Sequence, residues 1–428
     1  MNRRRRIWAT IAITIVLVLA LSSASFTAGY VVGHSNAQPA AATTPSTTNV
    51  PGFEIFWQAW DLVRKNYVDQ KAIDDKTLTY GAIQGMINAL GDSGHSRFLT
   101  PEDLRDEQQS LSGQLEGIGA EVSMRDGQAV IVAPIAGSPA QKAGVMAGDV
   151  ILKVDGNDVS GKSLDDIVNI IRGPAGTSVT ITVIHEGQTA QTDITIVRAK
   201  INVPSVTWAM LPGTTTAHIL VSQFASNATA GLVSAINDAK DKGATSIVLD
   251  LRNNPGGLLD EAIGVTSQFV KQGNVLLVQD AQGKRTPVTV RSGGNGLDIP
   301  MVVLVNNGTA SAAEIVAGAL QDHQRAKVIG VTTFGTGTVL STYHLSDGSA
   351  ILLGTEQWLT PDGRQIWHNG IKPDIDVELP TGATPLTPDQ ESNMTADQLQ
   401  QSQDAQLLRA LQELNNPSTP APTTTPSP

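Results

Sequence analysis

The stretch V-L-V-N-N-G-T-A-S-A-A-E at residues 303–314 carries an apolar strand into a turn of small residues, and a helix follows. Such a passage is typical of an α/β layer, in which chemistry lies beyond the carboxyl ends of the strands. Ser311 stands at the start of the helix, where the dipole and the N–H of Ala312 favour a developing negative charge. The stretch therefore predicts an α/β fold and a serine that can act as a nucleophile.

Two further segments carry what a serine nucleophile needs. In L-D-L-R-N-N-P-G-G-L-L at residues 249–259, a strand runs into a Pro-Gly-Gly turn whose bare backbone N–H groups can reach an oxyanion. In T-F-G-T-G-T-V-L at residues 333–340, the position where a proton acceptor is expected holds Thr336. The three segments predict an acyl-transfer site, and the third leaves open what takes the serine proton.

The regions around these segments differ in their periodicity. Residues 201–380 alternate strand-like and helix-like stretches, which predicts an α/β core. Residues 53–68 and 77–90 show apolar side chains at a helical period, so residues 51–112 are predicted to form a helical region whose aromatic side chains belong to its core. The tail from residue 381 to 428 holds one predicted helix, residues 396–414, and ends in a Pro/Thr-rich stretch typical of disorder.

Short β-rich stretches fill residues 113–200 and include G-I-G-A-E-V at 117–122 and G-D-V-I-L-K-V-D-G at 148–156. A helical stretch at 164–172 and two closing strands complete an order that resembles a PDZ domain. The resemblance implies an inserted, mainly β domain that binds the C-termini of proteins or peptides. Its carboxylate-binding loop would be Gly117, Ile118, Gly119 and Ala120.

Such a loop binds a carboxylate through its backbone. Consecutive backbone N–H groups that point into one concavity receive a terminal carboxylate, while the peptide adds a strand beside the sheet. The glycines at 117 and 119 allow the turn. A G-x-G pair by itself would indicate no more than a turn.

The order and wording of these motifs resemble the carboxyl-terminal processing peptidases, the S41 serine peptidase family. The resemblance extends to G-I-K-P-D at residues 370–374 and implies ClpP/crotonase-like α/β layers for the core. By this resemblance Ser311 matches the nucleophile, and the N–H groups of Gly257 and Ala312 match the oxyanion hole. The implied activity is cleavage of proteins near their C-termini after capture by the PDZ domain, without a cofactor or a metal.

Two positions depart from the family pattern. The family places its base, a lysine, in T-F-G-K-G-x-V-Q and orients it with the glutamine, and these positions hold Thr336 and Leu340 here. A threonine hydroxyl cannot replace a neutral amine as a base. Three outcomes stay open: a substitute base, a weak serine hydrolase, or a pseudo-protease that serves as a C-terminus-binding scaffold or adaptor.

The search for a substitute base has few candidates in the sequence. Histidines stand at positions 34, 95, 185, 218, 323, 344 and 368. His344 and His323 are close to the motifs, but surface or structural roles are expected for both. His95 falls in a segment that the family resemblance treats as structural, and Lys327 is expected to be solvated. Asp250, Asp347 and Asp374 are interpreted as turn and capping residues, because no histidine cluster that would favour a metal accompanies them.

The amino terminus predicts a membrane location. Four arginines at residues 3–6 precede residues 7–33, which carry no charge and would rise roughly 40 Å as a helix, enough to cross a bilayer core. Residues 1–33 are therefore interpreted as a single-pass anchor in the cell membrane, with the rest extracytoplasmic. The alternative is a cleaved signal peptide ending near Ser22-Ser23-Ala24. Residues 34–50 are expected to form a linker.

Composition excludes several function classes. The chain has 428 residues, a net charge of −11 and no cysteine. The negative charge disfavours a nucleic-acid partner, because phosphate binding needs a basic face. The lack of cysteine excludes thiol catalysis and disulfides, and it suits an extracytoplasmic protein. The sequence does not give the oligomeric state.

Overall fold

A computed structural model of the chain describes residues 52–92, 95–125, 127–135 and 137–416. The predicted anchor at residues 1–33, the linker at 34–50 and the end of the tail after residue 416 lie outside the described residues. The described chain falls into two compact units. One contains residues 52–81 with Leu345–Gly348, and the other contains the remainder.

The prediction of a single-pass location in the cell membrane is wrong, because the described helices do not meet the requirements of a membrane span. Within the four described ranges, no helix is both long enough and apolar enough to cross a membrane. The longest of these helices have 14 residues, which rise about 21 Å against a hydrocarbon core of about 30 Å. The residues that carried the prediction of a span are not among those described.

The first unit contains helix α1 (Phe53–Asn66), a 3-10 turn (Gln70–Ala72) and the start of α2 (Asp75–Asn88). The aromatic rings of α1 contact one another, with centroids of Phe56 and Trp57 5.2 Å apart. The prediction that they form a core is wrong, since α1 contributes no buried residue and Trp57 is 55% exposed. The helical period identified the helix but did not determine what its apolar face contacts.

The second unit opens with strand β1 (Arg97–Leu99) and helix α3 (Pro101–Leu111). The helix begins at a capping box, in which the Thr100 hydroxyl accepts from the Asp103 N–H and the Asp103 carboxylate accepts from the Thr100 N–H. This local sequence signal fixes where the chain turns from β1 into α3.

A mainly β region follows, built from eight strands and two short helices: β2 (Gln114–Gly117), β3 (Ala120–Arg125), β4 (Gln128–Pro134), α4 (Pro139–Lys142), β5 (Val150–Val154), β6 (Asn157–Asp158), α5 (Leu164–Ile171), β7 (Ser178–Ile184), β8 (Gln191–Val197) and β9 (Ala199–Asn202). One antiparallel sheet has the order β3-β4-β5-β7-β8, with β6 beside β5, and β2 pairs with β9. Strand β3 is therefore an edge strand, and α5 packs against it.

The α/β core continues the second unit: β10 (Val206–Met210), β11 (Thr216–Val221), α6 (Ala228–Asp241), β12 (Ser246–Asp250), α7 (Leu259–Phe269), β13 (Asn274–Gln279), β14 (Arg285–Thr289), β15 (Met301–Val305), α8 (Ala312–Asp322), β16 (Lys327–Gly330), β17 (Thr338–His344), β18 (Ala350–Leu359) and β19 (Ile375–Asp376). The central sheet has the order β10-β11-β12-β15-β16-β19. All its neighbouring pairs are parallel except β10 with β11. Every residue of β12 and β15 is buried, as expected of parallel strands covered on both faces.

A second, antiparallel sheet adjoins the core with the order β1-β18-β13-β14, and β17 pairs with β18. Because β1 pairs with β18, the segment just before β1 is brought to the same sheet as β17. This pairing joins residues that are far apart in the chain.

The carboxyl-terminal region holds three helices, α9 (Pro388–Glu391), α10 (Ala396–Gln400) and α11 (Ala405–Asn415). The single helix predicted over residues 396–414 is thus broken in two. Asp404 explains the break, because its carboxylate accepts from the Leu407 N–H at 3.0 Å and caps α11. The same carboxylate accepts from the Arg252 guanidinium at 2.7 Å, which holds α11 against the core.

A buried ion cluster lies at the end of β12 and adds to the turn role predicted for Asp250, whose carboxylate accepts from the Arg252 N–H at 2.9 Å. Asp250 pairs with Arg252 at 2.6 Å and with His218 at 3.0 Å, and Glu391 contacts the other nitrogen of His218 at 2.8 Å. Burial alone would lower the pKa of His218, but its hydrogen bonds to Asp250 and Glu391 outweigh burial and raise the pKa to about 9. The cluster joins β11 and β12 to the carboxyl-terminal helices.

Candidate active site

Two turns meet at the carboxyl ends of β12 and β15, which are neighbours in the parallel sheet. The Asn306 side chain accepts from the Asn253 N–H and donates to the Asn253 side chain, both at 2.8 Å. The Thr309 hydroxyl donates to the carbonyl of Leu251 at 2.7 Å. These bonds hold the turn after β15 against the turn after β12, so the two predicted segments are assembled into one site.

Ser311 occupies a strained backbone position at the end of its turn. Its φ is 53° and its ψ is −118°, a conformation that residues other than glycine rarely adopt and that costs of order 1–3 kcal/mol. Its N–H donates to the carboxylate of Glu314 at 2.9 Å and to the hydroxyl of Thr336 at 2.6 Å. These two acceptors stabilise the position from which α8 begins.

The turn after β12 lies directly against Ser311. A Cβ placed on Gly256 would come within 2.7 Å of the Ser311 Cβ and 3.0 Å of the Ala312 nitrogen. The carbonyl of Gly256 accepts from Phe224, and the N–H of Leu258 donates to Phe224, so this bridge does not use the N–H of Gly257.

Two backbone N–H groups accordingly suit an oxyanion. Ala312 is the first residue of α8, where an N–H has no partner within the helix. Gly257 lines the same pocket as Ser311. Both residues predicted for the oxyanion hole therefore lie next to Ser311, and each would offer a backbone N–H rather than a side chain.

Ser311 opens into a pocket of about 900 Å³. Its walls come from the segment before β1, from α3, from the two turns and from β17. Residues from all these elements line it, including His95, Gln108, Gly257, Ser311, Thr336 and His344. The pocket is large enough for several residues of an extended chain.

The carboxylate of Glu314 accepts several of the hydrogen bonds that hold the turn containing Thr336. Its fully buried carboxylate accepts from the Thr333 hydroxyl at 2.5 Å and the Gly335 N–H at 2.7 Å. It also accepts from the Thr336 hydroxyl at 2.7 Å and the Thr336 N–H at 3.0 Å. The structure thus places residue 336 against Ser311, but Thr336 is committed to Glu314 and to the backbone of the serine.

Leu340, which stands at the position predicted for the family's glutamine, has an apolar environment. Leu340 packs against a buried cluster formed by Leu99, Leu104, Ala350 and Leu352. No lysine is among the residues that line the pocket in the part of the chain that the structure describes. Lys327 instead lies 3.9 Å from Asp374 and is partly exposed.

The histidines separate clearly by position. His323 contacts the carbonyl of Asn274 at 2.7 Å and does not line the pocket, whereas His344 lines it from an exposed position on β17. His95 also lines the pocket, is only 6% exposed, and its Nδ1 forms a short hydrogen bond with the hydroxyl of Thr338. Burial lowers the pKa of His95, so its ring is neutral at pH 7.

Sequence reasoning gave His95 a structural role and missed its place at the pocket. No local pattern marks it, because its position depends on the pairing of β1 with β18. The described residues contain no group of three or more histidine, aspartate or glutamate side chains that could hold a metal ion.

The predicted peptide-binding loop lies between β2 and β3. Gly119 has a φ of 77°, and a Cβ there would come within 2.5 Å of the Ser138 Cβ, so only glycine fits. The side chain of Ile118 is buried and its carbonyl accepts from Ala140 at 2.8 Å. With Gly117 and Ala120 the loop opens at the end of the edge strand β3.

Comparisons with known proteins match three regions of the chain. The model described as "Peptidase family S41" matches residues 215–377, "PDZ domain" matches 130–184, and "Activating protease CtpB N-terminal domain" matches 21–99. A carboxy-terminal processing protease CtpA of Bacillus subtilis is 37% identical over 89% of this chain and 78% of its own length. A carboxy-terminal-processing protease of Bartonella bacilliformis is 40% identical over 76% and 75%.

Two solved structures are similar to this chain. A putative S41 protease from Bacteroides fragilis shares its fold and covers 84% of this chain and 97% of its own, with 17% identity and a TM-score of 0.50. A photosystem II D1 C-terminal processing protease covers 80% and 96%, with 31% identity and a TM-score of 0.45.

Proposed function

The chain belongs to peptidase family S41 and carries a PDZ domain, and from this we propose that it is a serine endopeptidase that cleaves proteins near their C-termini. Ser311 is the nucleophile, and the N–H groups of Gly257 and Ala312 bind the oxyanion. The observation that carries the proposal is Ser311 itself, held at a φ of 53° at the start of α8 beside the turn of Gly257.

The PDZ domain delivers the substrate in this proposal. Its edge strand β3 has a free side to which an extended C-terminus can add, and the loop from Gly117 to Ala120 stands where the terminal carboxylate would lie. The next part of the captured protein then reaches the pocket at Ser311. The pocket takes an extended segment, so unfolded or exposed C-terminal regions are the substrate class.

A second candidate function rests on Thr336 and Leu340. Because neither side chain can accept and orient the serine proton as a lysine and a glutamine do, the same architecture would serve a pseudo-protease that binds C-termini as a scaffold. Peptide capture is common to both candidates. Hydrolysis that depends on Ser311 distinguishes them.

The test uses the full-length protein with a fluorescently labelled casein as an unfolded substrate. We expect the unaltered chain to cleave it and Ser311→Ala to abolish cleavage. Ser234→Ala is the matched control, because Ser234 lies exposed on α6 and does not line the pocket. Equal behaviour of the unaltered chain and Ser311→Ala would reject the peptidase and favour the scaffold.

A further inference from the structure

The group that takes the proton of Ser311 must come from the walls of its pocket. Among the described residues that line it, four have ionisable side chains: Arg97, Glu107, His95 and His344. Arg97 and Glu107 pair with each other at 2.7 Å, and a guanidinium does not lose its proton in this pH range. The two imidazoles therefore remain.

Position along β17 separates the two histidines. His344 stands at the far end of the strand, six residues and about 20 Å beyond Thr338. His95 contacts Thr338 itself, and Thr338 is two residues from Thr336, so their Cα atoms are at most about 7 Å apart. Since Thr336 bonds the backbone of Ser311, His95 contacts the end of β17 that is nearer to Ser311 along the chain, and both residues line the same pocket.

We propose that His95 is the general base of this enzyme and replaces the absent lysine, with Thr338 orienting its ring. This inference rests on the proposed peptidase function. When Nδ1–H donates to the Thr338 hydroxyl, the lone pair lies on Nε2, which is then the nitrogen able to accept the serine proton. Thr338 then fixes the tautomer, as a third group does in a serine triad.

The segment that carries His95 is anchored firmly. The Asp92 carboxylate accepts from the Ser96 N–H at 3.2 Å and from the Trp367 indole N–H at 3.3 Å. The Ser96 hydroxyl donates to Asp92 at 2.5 Å and accepts from the N–H of Gly354 on β18 at 2.9 Å. These bonds fix the backbone before and after His95. A base needs such fixed support if it is to stay aligned with its nucleophile.

The reaction balances with water as the only co-reactant. As Ser311 Oγ bonds to the scissile carbonyl carbon, its proton moves to His95 Nε2 and the carbonyl oxygen becomes an oxyanion. When the C–N bond breaks, His95 gives that proton to the leaving amine. Water then attacks the acyl-enzyme while His95 takes its proton, and returning this proton to Ser311 Oγ releases the new carboxyl terminus.

Charges around the ring support its neutral form. Burial lowers the pKa of His95 most, the nearby Asp92 acts in the opposite direction, and Arg97 lowers the pKa further. Glu107 on α3 and His344 at the far end of β17 are the other titratable side chains that line the pocket, and Glu314 on α8 is bonded to the Thr336 hydroxyl. A neutral imidazole accepts a proton at pH 7, so no unusual pH is needed.

The test measures casein hydrolysis by the full-length protein between pH 5 and 9. We expect His95→Gln to lower kcat/KM at least about 10³-fold at pH 7.5. We expect the acid limb of the pH profile, with a midpoint below 6.5, to disappear in His95→Gln. His323→Gln is the matched control, since His323 bonds the carbonyl of Asn274 away from the pocket. Urea midpoints confirm that the variants fold.

Thr338→Val provides an independent arm if His95→Gln does not fold. It removes the hydroxyl that orients the ring, and we expect kcat to fall roughly 10-fold or more with KM little changed. A loss under 3-fold in a folded His95→Gln, an unchanged acid limb, or a greater loss in His344→Gln would overturn the role of His95. Ser311→Ala cleaving like the unaltered chain would instead reject the peptidase function itself.

Discussion

The hydroxyl of Thr336 accepts the backbone N–H of Ser311 at 2.6 Å. The residue predicted to stand at the family's lysine position supports the strained backbone of Ser311 and also donates to the buried carboxylate of Glu314. Thr336 thus stabilises the turn through hydrogen bonds to two different segments.

Thr336→Val should destabilise the protein and slow hydrolysis. The variant keeps the shape but leaves the Glu314 carboxylate and the Ser311 N–H with one partner fewer in a buried place, at a cost of about 1–3 kcal/mol. Thr336→Ser retains the hydroxyl and should stay near the unaltered protein. Urea unfolding and casein hydrolysis measure both effects, and a Thr336→Val protein as stable as Thr336→Ser would show that these bonds contribute little.

Restoring the family residues in Thr336→Lys/Leu340→Gln should not raise activity. The new ammonium would lie beside the buried carboxylate of Glu314, which favours its charged form, so it would not act as a base. The new amide would replace Leu340 in its apolar cluster without a prepared partner. The measurement is kcat/KM on casein, and an increase over the unaltered chain would contradict the assignment of the base to His95.

Gly256→Ala should abolish most of the activity. Its φ is 100°, and the added Cβ would come within 2.7 Å of the Ser311 Cβ, so the oxyanion turn must move away from the nucleophile. Displacements of about 1 Å cost on the order of 100-fold in rate. Gly283→Ala is a matched control, because its φ is 82° but the Cβ would meet open space. Similar losses in both variants would point to backbone strain alone.

The buried His218 should make the stability of the core depend on pH. Its folded pKa of about 9 exceeds the usual value of about 6.5, so its stabilising contribution is complete below pH 6.5 and is lost as pH rises through 9. The loss should reach at most about 3 kcal/mol. Urea unfolding at pH 6.5 and pH 9 measures it. His218→Gln should show a much flatter dependence, and an equal slope in both proteins would assign the effect to other groups.

Capture by the PDZ domain should require a free terminal carboxylate. With Ser311→Ala as the host, to prevent cleavage, a fluorescein-labelled peptide with an apolar C-terminus should bind at least about 10-fold more tightly than its C-terminal amide. Fluorescence anisotropy measures both. Gly119→Ala should weaken binding, because the Cβ would meet Ser138 at 2.5 Å and distort the loop. Equal binding of acid and amide would contradict the role of the loop.

Short sequence patterns correctly predicted the strands of the core, the turns that follow them and the start of the helix after Ser311. The continuous apolar runs ending at residues 250 and 305 correspond to two neighbouring parallel strands, and the small-residue turns after them meet at Ser311. The helix start at Ala312 also agrees with the sequence. Strand ends and helix starts have signals within a few residues, so a sequence can specify them.

Local patterns did not predict the long-range contacts. The position of His95 depends on β1 pairing with β18. Asp250 accepts from the Arg252 N–H in the predicted turn, but its pairing with the distant His218, which also contacts Glu391, was not predicted. The break before α11 follows from Asp404, which both caps the helix and pairs with Arg252. Each depends on a partner that only the folded chain supplies.

The pairing of Arg252 with Asp404 has a consequence for the carboxyl-terminal region. Arg252 stands between β12 and the Gly257 turn, and Asp404, the residue that caps α11, provides one of its two carboxylates. Removal of the chain from Asp404 onward would leave the guanidinium buried with half of its compensating charge, next to the Gly257 turn. The carboxyl-terminal region is therefore needed to balance a buried charge beside Ser311.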